Sequence, residues 1–153
     1  MGKLNVELIK KLREETGAPV MRVKKVLEEL KGNEKEAIKI LTQEGFEKAE
    51  KRSERSTSQG LIKTYVHHSG KIAGVAEVLC ETDFVARNEL FDKLASDLAM
   101  QVVANNPKDA SELEKMDYIR DSSKTVADIV KDVIAKTGEN IRVGRIYRLE
   151  LGN

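Results

Sequence analysis

The sequence predicts an α+β fold, in which an N-terminal three-helix bundle and a charged linker precede a core with a small antiparallel sheet packed by helices. Three observations carry this. Apolar residues recur at helical spacing up to Gly45, the period falls to two at Leu61, and a second alternating run closes the chain after Gly138. These changes of period set the boundaries at residues 1–46 for the bundle, 47–60 for the linker and 61–153 for the core.

In the first unit, Leu4, Leu8, Ile9 and Leu12 share one helical face, Asn5 caps it and Thr16-Gly17 stops it, giving a helix over residues 5–16. Pro19 suits the first turn of a second helix, which carries Val20, Val23, Leu27 and Leu30 on one face and ends at Gly32. Asn33 and Glu36 have capping-box spacing ahead of Ala37, Ile38 and Leu41, and Gly45 is expected to close this third helix. A bundle so small buries little surface, so it should lean on a neighbour or a partner. From Phe46 to Gly60, Lys48, Lys51, Arg52 and Arg55 interleave with Glu47, Glu50 and Glu54 before a Ser/Thr run, which is the composition of a solvated linker.

Leu61 to His68 alternates as a strand does, Ser69-Gly70 makes a turn, and Ile72 to Cys80 returns, so a β-hairpin is expected. Thr82 or Asp83 caps the next element, a helix marked by Leu90, Phe91, Leu94, Leu98 and Val102 that stops before Asn105-Asn106-Pro107. Ser111 and Glu114 open a shorter helical stretch. Thr125 and Asp128 open another, which carries Ile129, Val130, Val133 and Ile134 and ends at Gly138. Ile141, Val143, Tyr147, Leu149 and Leu151 then share one phase of a third strand over residues 141–151, interrupted by Arg145.

Composition excludes several functions. The net charge is +1, with 14 basic and 11 acidic residues before Gly60 and 13 basic and 15 acidic after it, so neither half forms the footprint of a nucleic-acid partner. The longest apolar run, Ile72 to Ala76, is far below the roughly 20 residues that span a bilayer. The first residues form an amphipathic pattern without an apolar signal core, which points to the cytoplasm. Catalytic and cofactor motifs are thin. Gly70-Lys71 resembles the end of a phosphate loop, but the first glycine of that pattern would fall on Tyr65. One cysteine and two adjacent histidines make neither a disulfide nor a structural zinc site. Cys80 with His67 or His68 would be a thiol–base pair lacking an acidic orienter; the better reading is a half-buried strand end and a polar hairpin end. No enzyme activity, metal or cofactor is expected.

One segment stands out: Glu81-Thr82-Asp83-Phe84-Val85-Ala86-Arg87-Asn88 places two apolar side chains inside a polar strand-to-helix connection. Phe84 could fold back as a staple against the next helix while Thr82 and Asp83 cap it. It could equally protrude as a wedge into a pocket of another protein, with the Asp83 carboxylate beside it. Residues 80–89, Cys80-Glu81-Thr82-Asp83-Phe84-Val85-Ala86-Arg87-Asn88-Glu89, resemble the signature of the elongation factor Ts family, guanine-nucleotide exchange factors of elongation factor Tu. Leu12-Arg13-Glu14-Glu15-Thr16-Gly17-Ala18 with Lys24-Lys25 resembles that family's ubiquitin-associated-like bundle, and Ala135-Lys136-Thr137-Gly138-Glu139-Asn140-Ile141 its closing helix-to-strand segment.

The resemblance implies a partner and a mechanism. Thr82, Asp83, Phe84 and Val85 would enter the GTP-binding domain of elongation factor Tu beside its magnesium and phosphate site, dislodge the magnesium and loosen the diphosphate. Pro19, Val20 and Met21 would lie in the surface by which the bundle docks on that domain. Pro19-Val20-Met21-Arg22-Val23 departs from the family's common Gly-Met-Met-Asp-Cys, and Leu79 replaces a frequent asparagine. Residues 105–124 leave no room for the second core subdomain or coiled-coil insertion of longer members. A homodimer through the last strand would replace those contacts, and a monomer bound to the GTPase domain is equally permitted. The other reading of the chain is a protein-interaction module that uses its three-helix bundle without exchange activity.

Overall fold

A computed structural model describes residues 5–153. The fold is α+β, with three N-terminal helices, a three-stranded antiparallel sheet and helices packed on one of its faces. Helix α1 (Val6–Thr16) is capped by Asn5, whose side chain accepts from the Glu7 amide, and Gly17 ends it in the left-handed conformation. Leu4, the first residue of the sequence pattern, lies outside the described residues. Helix α2 (Val20–Glu29) begins one residue after Pro19, which is its extended N-cap and not part of its first turn. It unwinds through Leu30 to Gly32, whose amide returns to the Leu27 carbonyl at 2.8 Å. Leu12, Val23, Val26, Leu27, Ala37 and Leu41 form the bundle's own buried cluster.

Helix α3 (Glu34–Lys51) corrects the sequence reading, because it does not close at Gly45 and instead runs through the first residues of the expected linker. A side chain explains this, or rather the lack of one. A Cβ on Gly45 would come within 3.1 Å of Ala135 Cβ, and one on Gly17 within 2.8 Å of Lys136 Cα. Both glycines lie where the bundle meets a core helix, α7 (Val126–Thr137), so Gly45 permits helix contact and does not stop the helix. Lys131 of α7 adds an ion pair to Glu50 at 3.2 Å and stands over the Phe46 ring. The bundle therefore has the neighbour its small core calls for.

Strands β1 (Gln59–Val66) and β2 (Ile72–Cys80) form the expected hairpin, closed by Gly70 at φ 71°. Strand β5 (Ile141–Glu150) pairs antiparallel with β2, giving the order β1-β2-β5. The connection from β2 holds two helices where one was expected: a single turn, α4 (Asp83–Ala86), and then α5 (Glu89–Asn105), which has its own cap at Asn88. Helix α6 (Ala110–Lys115) is capped by Asp109 instead of Ser111. A two-stranded ribbon that the sequence pattern does not predict, β3 (Asp117–Tyr118) with β4 (Asp121–Thr125), leads into α7. Thr125 and Asp128 form the full capping box there, and Gly138 ends α7 as expected.

Buried polar groups hold the ribbon. The Tyr118 hydroxyl donates to Asp97 of α5 at 2.6 Å, and Arg120 pairs with the same carboxylate at 3.1 Å. Burial, and then that hydrogen bond, push the Tyr118 hydroxyl up to about 12. The fully buried Gln101 amide donates to the Asp117 carbonyl and accepts from the Ile119 amide.

Strand β5 corrects a second expectation. Its apolar residues do not share one face: Ile141 and Val143 are buried in the core, whereas Tyr147 and Leu149 are exposed. The register shifts where Glu77 faces both Gly144 and Arg145, a bulge that carries the rest of the strand onto the opposite phase. The Glu77 carboxylate accepts from the displaced Arg145 amide at 3.1 Å and from its guanidinium at 3.2 and 2.8 Å. Those bonds hold the carboxyl down at about 2. Gly144 leaves the room, since a Cβ there would lie 2.4 Å from a Glu77 carboxylate oxygen.

Candidate functional site

The Thr82–Val85 segment is a single helical turn fixed at both ends. Thr82 is extended, and its hydroxyl accepts from the Val85 amide, so α4 starts on a side-chain cap. At the other end Arg87 donates its amide to the Asp83 carbonyl at 3.2 Å, and Asn88 donates to Val85 at 2.9 Å. Val85 and Ala86 point inward and join the core cluster with Val78, Cys80 and Phe91. Phe84 points away from them and is 90% exposed. The staple alternative for Phe84 is thereby excluded, while capping by Thr82 holds. Asp83 stands beside it at the surface, in an ion pair with Arg87 at 2.8 Å that solvent on both partners makes weak.

The base of the turn is held by the segment that follows α7. Glu139 accepts the Thr82 amide at 3.0 Å on one carboxylate oxygen and the Thr82 hydroxyl at 2.6 Å on the other. In the reverse direction, Glu81 accepts the Asn140 amide at 2.7 Å. Asn140, 4% exposed, donates its side-chain amide to the carbonyls of Ser53 and Arg55 in the connection after α3. Two adjacent residue pairs thus grip each other reciprocally, and one is tied to the end of the bundle. Charge-assisted bonds of this kind are about twice as strong as neutral ones. The arrangement fixes the backbone beneath Phe84 and leaves its ring free.

The four residues that the sequence marks, Thr82, Asp83, Phe84 and Val85, therefore play separate parts. Only Asp83 and Phe84 are presented outward; Val85 anchors the turn in the core, and Thr82 ties it down. Glu81, Glu139 and Asn140 are not among the site residues that the sequence marks, although they lie in two of the three stretches that carry the resemblance. Only the contacts between those stretches, Thr82 with Glu139 across 57 residues of chain and Glu81 with Asn140 across 59, display their part.

Pro19, Val20 and Met21 sit on another element, at the start of α2, where Val20 is 42% and Met21 73% exposed. Arg22 makes a fork with Glu44 of α3 at 2.9 and 2.5 Å, which holds the Glu44 carboxyl below its ordinary range. That pair joins α2 to α3 and leaves Val20 and Met21 outward. The thiol–base constellation has no geometry. Cys80 is fully buried opposite Gln59, its thiol donates to the Thr82 carbonyl, and burial pushes its pKa up. His67 lies beyond the other end of the eight-residue β1, on the order of 25 Å away.

Comparison with known proteins places this architecture. The family model described as "Elongation factor TS" matches residues 81–153, which begin at the gripped segment and run through β5. Elongation factor Ts of Nitratidesulfovibrio vulgaris is 38% identical, with 97% of each chain aligned, and that of Thermotoga neapolitana is 40% identical, with 98% of each aligned. Elongation factor Ts of Clostridium kluyveri is 42% identical over 95% of this chain but 48% of its own length. The first two alignments run to 195 and 193 positions, more than the 153 residues present here, so those relatives carry residues this chain lacks. With matches of this identity along nearly the whole length, the chain belongs to the elongation factor Ts family of translation factors.

Proposed function

We propose that this protein promotes release of guanosine diphosphate from elongation factor Tu, with the Thr82–Val85 turn entering the GTPase beside its magnesium and phosphate site. The observation that carries the reading is Phe84: a large apolar ring, 90% exposed, on a turn whose base is held by the core. A free ring on a fixed base loses little conformational entropy when it enters a pocket. Asp83 brings a negative charge to the same place, where it would compete with the partner's own ligands for magnesium. The chain forms no covalent bond and is not an enzyme. It acts by linkage: if binding this protein weakens diphosphate binding by some factor, the diphosphate weakens binding of this protein by the same factor. The strain comes from contacts made only in the opened state of the GTPase.

The N-terminal bundle, read as ubiquitin-associated-like, docks on the same GTPase through Pro19, Val20 and Met21. A second copy of the chain meets the sheet along β5, an edge strand whose outward Tyr147 and Leu149 support such an interface. The protein works in the cytoplasm; no helix among the described residues is long and apolar enough to cross a membrane. Exposure of Val20 and Met21 also favours the second reading, a binding module without exchange activity.

Stopped-flow release of a fluorescent guanosine diphosphate from elongation factor Tu, with magnesium present, separates the two. Strong acceleration by the native protein, lost in a folded Phe84→Ala variant, supports exchange. Binding without acceleration leaves the interaction module as the function.

A further inference from the structure

We infer that Glu139 is the positioning residue of the Asp83–Phe84 tip, and that Thr82 acts by holding this carboxylate and not by touching the partner. The inference rests on the exchange reading and assigns the means by which the tip is made rigid. A helix of four residues cannot hold itself, because one turn fixes several backbone torsions for very few hydrogen bonds. Its order must come from outside. On the apolar side it comes from Val85 and Ala86 in the core; on the polar side, among the described residues, the only side chain from a distant segment that holds the Thr82 cap is Glu139.

The chemistry of Thr82 leaves little for a partner. Its amide hydrogen and its hydroxyl hydrogen both go to Glu139, and one hydroxyl lone pair receives the Val85 amide. The carboxylate is itself presented from a fixed point. Gly138 closes α7 with its amide on the Ile134 carbonyl at 2.8 Å, and on the other side Asn140 is buried and bonded to Glu81, Ser53 and Arg55. The clamp itself is exposed, so its loss should leave global stability nearly unchanged and release only the turn.

This position predicts which kinetic quantity moves. Contacts of the tip are made as the GTPase opens, so disorder in the tip raises the barrier to opening without weakening the encounter, which the other surfaces provide. Glu139→Gln keeps the shape but replaces the two charged oxygens that accept the Thr82 hydrogens by a neutral amide with a single acceptor oxygen, so the charge-assisted character of the clamp is lost. In stopped-flow release of fluorescent guanosine diphosphate from elongation factor Tu, it should lower the limiting rate at saturating protein about tenfold, the scale of a lost charge-assisted bond, and leave the half-saturating concentration within about twofold. Thr82→Val, which removes the cap on the Val85 amide as well, should slow release at least as much, and the effect of the double variant should fall well short of the product of the two single effects, because they share the bond between the Thr82 hydroxyl and Glu139. Amide exchange of Thr82 and Val85 in the free protein should quicken in each.

A limiting rate equal to that of the native protein in Glu139→Gln overturns the inference and leaves the exchange reading intact. So does a raised half-saturating concentration with an unchanged limiting rate, since that reports a smaller folded fraction and hence a structural role. Absence of acceleration by the native protein overturns both.

Discussion

Phe84 stands 90% exposed on one helical turn, whereas Ile62, Val66, Tyr147, Leu149 and Leu151, each more than 60% exposed, spread over and beside the outer face of the three-stranded sheet. The pairing register sets these residues in rows: Val66, Ala73 and Leu149 in one, Thr64, Val75 and Tyr147 in the next. Both regions leave apolar surface in water, but their supports differ. The turn is fixed by carboxylates beneath it and offers a single ring, which suits entry into a pocket. The sheet offers a flat strip of aliphatic and aromatic groups, which another flat surface can cover. Shape therefore assigns the two regions different partners in the proposed function: the GTPase for the ring, a second copy of the chain for the strip.

The sharpest way to break that assignment is to remove one region and read both outputs. Phe84→Ala should slow diphosphate release from elongation factor Tu at least about thirtyfold, the scale of an interface hot spot, and leave sedimentation unchanged. Its unfolding midpoint should not move, because the ring makes so little contact in the free protein. Leu149→Glu is the converse and the next largest effect. A charge in the middle of the strip should weaken self-association about tenfold or more, seen as a shift toward monomer in sedimentation velocity, while the isolated fold stays stable because Leu149 is 70% exposed. If Phe84→Ala disturbs self-association, or if Leu149→Glu leaves it untouched, the division between ring and strip is wrong.

How much of each region the sequence reveals depends on the range of the interactions that build it. Asn5, Asn33, Thr125 and Asp128 cap helices with bonds to residues two or three positions away, and the Ser69-Gly70 turn closes locally, so these elements are legible. The Thr82–Val85 turn is half legible. Its cap and its odd apolar content are local, but the outward ring and the Glu139 clamp depend on a segment 57 residues on. Gly45 misleads because a glycine that lets α7 approach looks the same in sequence as one that ends a helix. The β3–β4 ribbon has no strong alternation of its own and is fixed by Asp97 and Gln101 of α5. The strip is the least legible of all: Tyr147 and Leu149 share a phase with the buried Ile141 and Val143 along the chain, and only the bulge opposite Glu77 turns them outward.

That bulge gives the smallest expected effect and the most specific probe of the strip. The Glu77 carboxyl is depressed to about 2 from its ordinary 4.5 by its bonds to Arg145. A group whose pKa is lower in the folded chain adds stability above the unfolded value and loses it as the pH falls through the folded one. The contribution of Glu77 should therefore be complete above about pH 4.5 and fade between there and pH 2. Arg145 is 68% exposed at its side chain, so solvent limits the contribution to about 1 kcal/mol or less. Glu77→Gln should lower stability at neutral pH by that amount and flatten the acid limb of the unfolding midpoint against pH. It should also loosen the alignment of Tyr147 and Leu149, and so weaken self-association less than Leu149→Glu does. A Glu77→Gln variant with the native acid profile would mean that the bulge is held by the space at Gly144 and backbone pairing alone, and that the outward turn of the strip does not depend on this carboxylate.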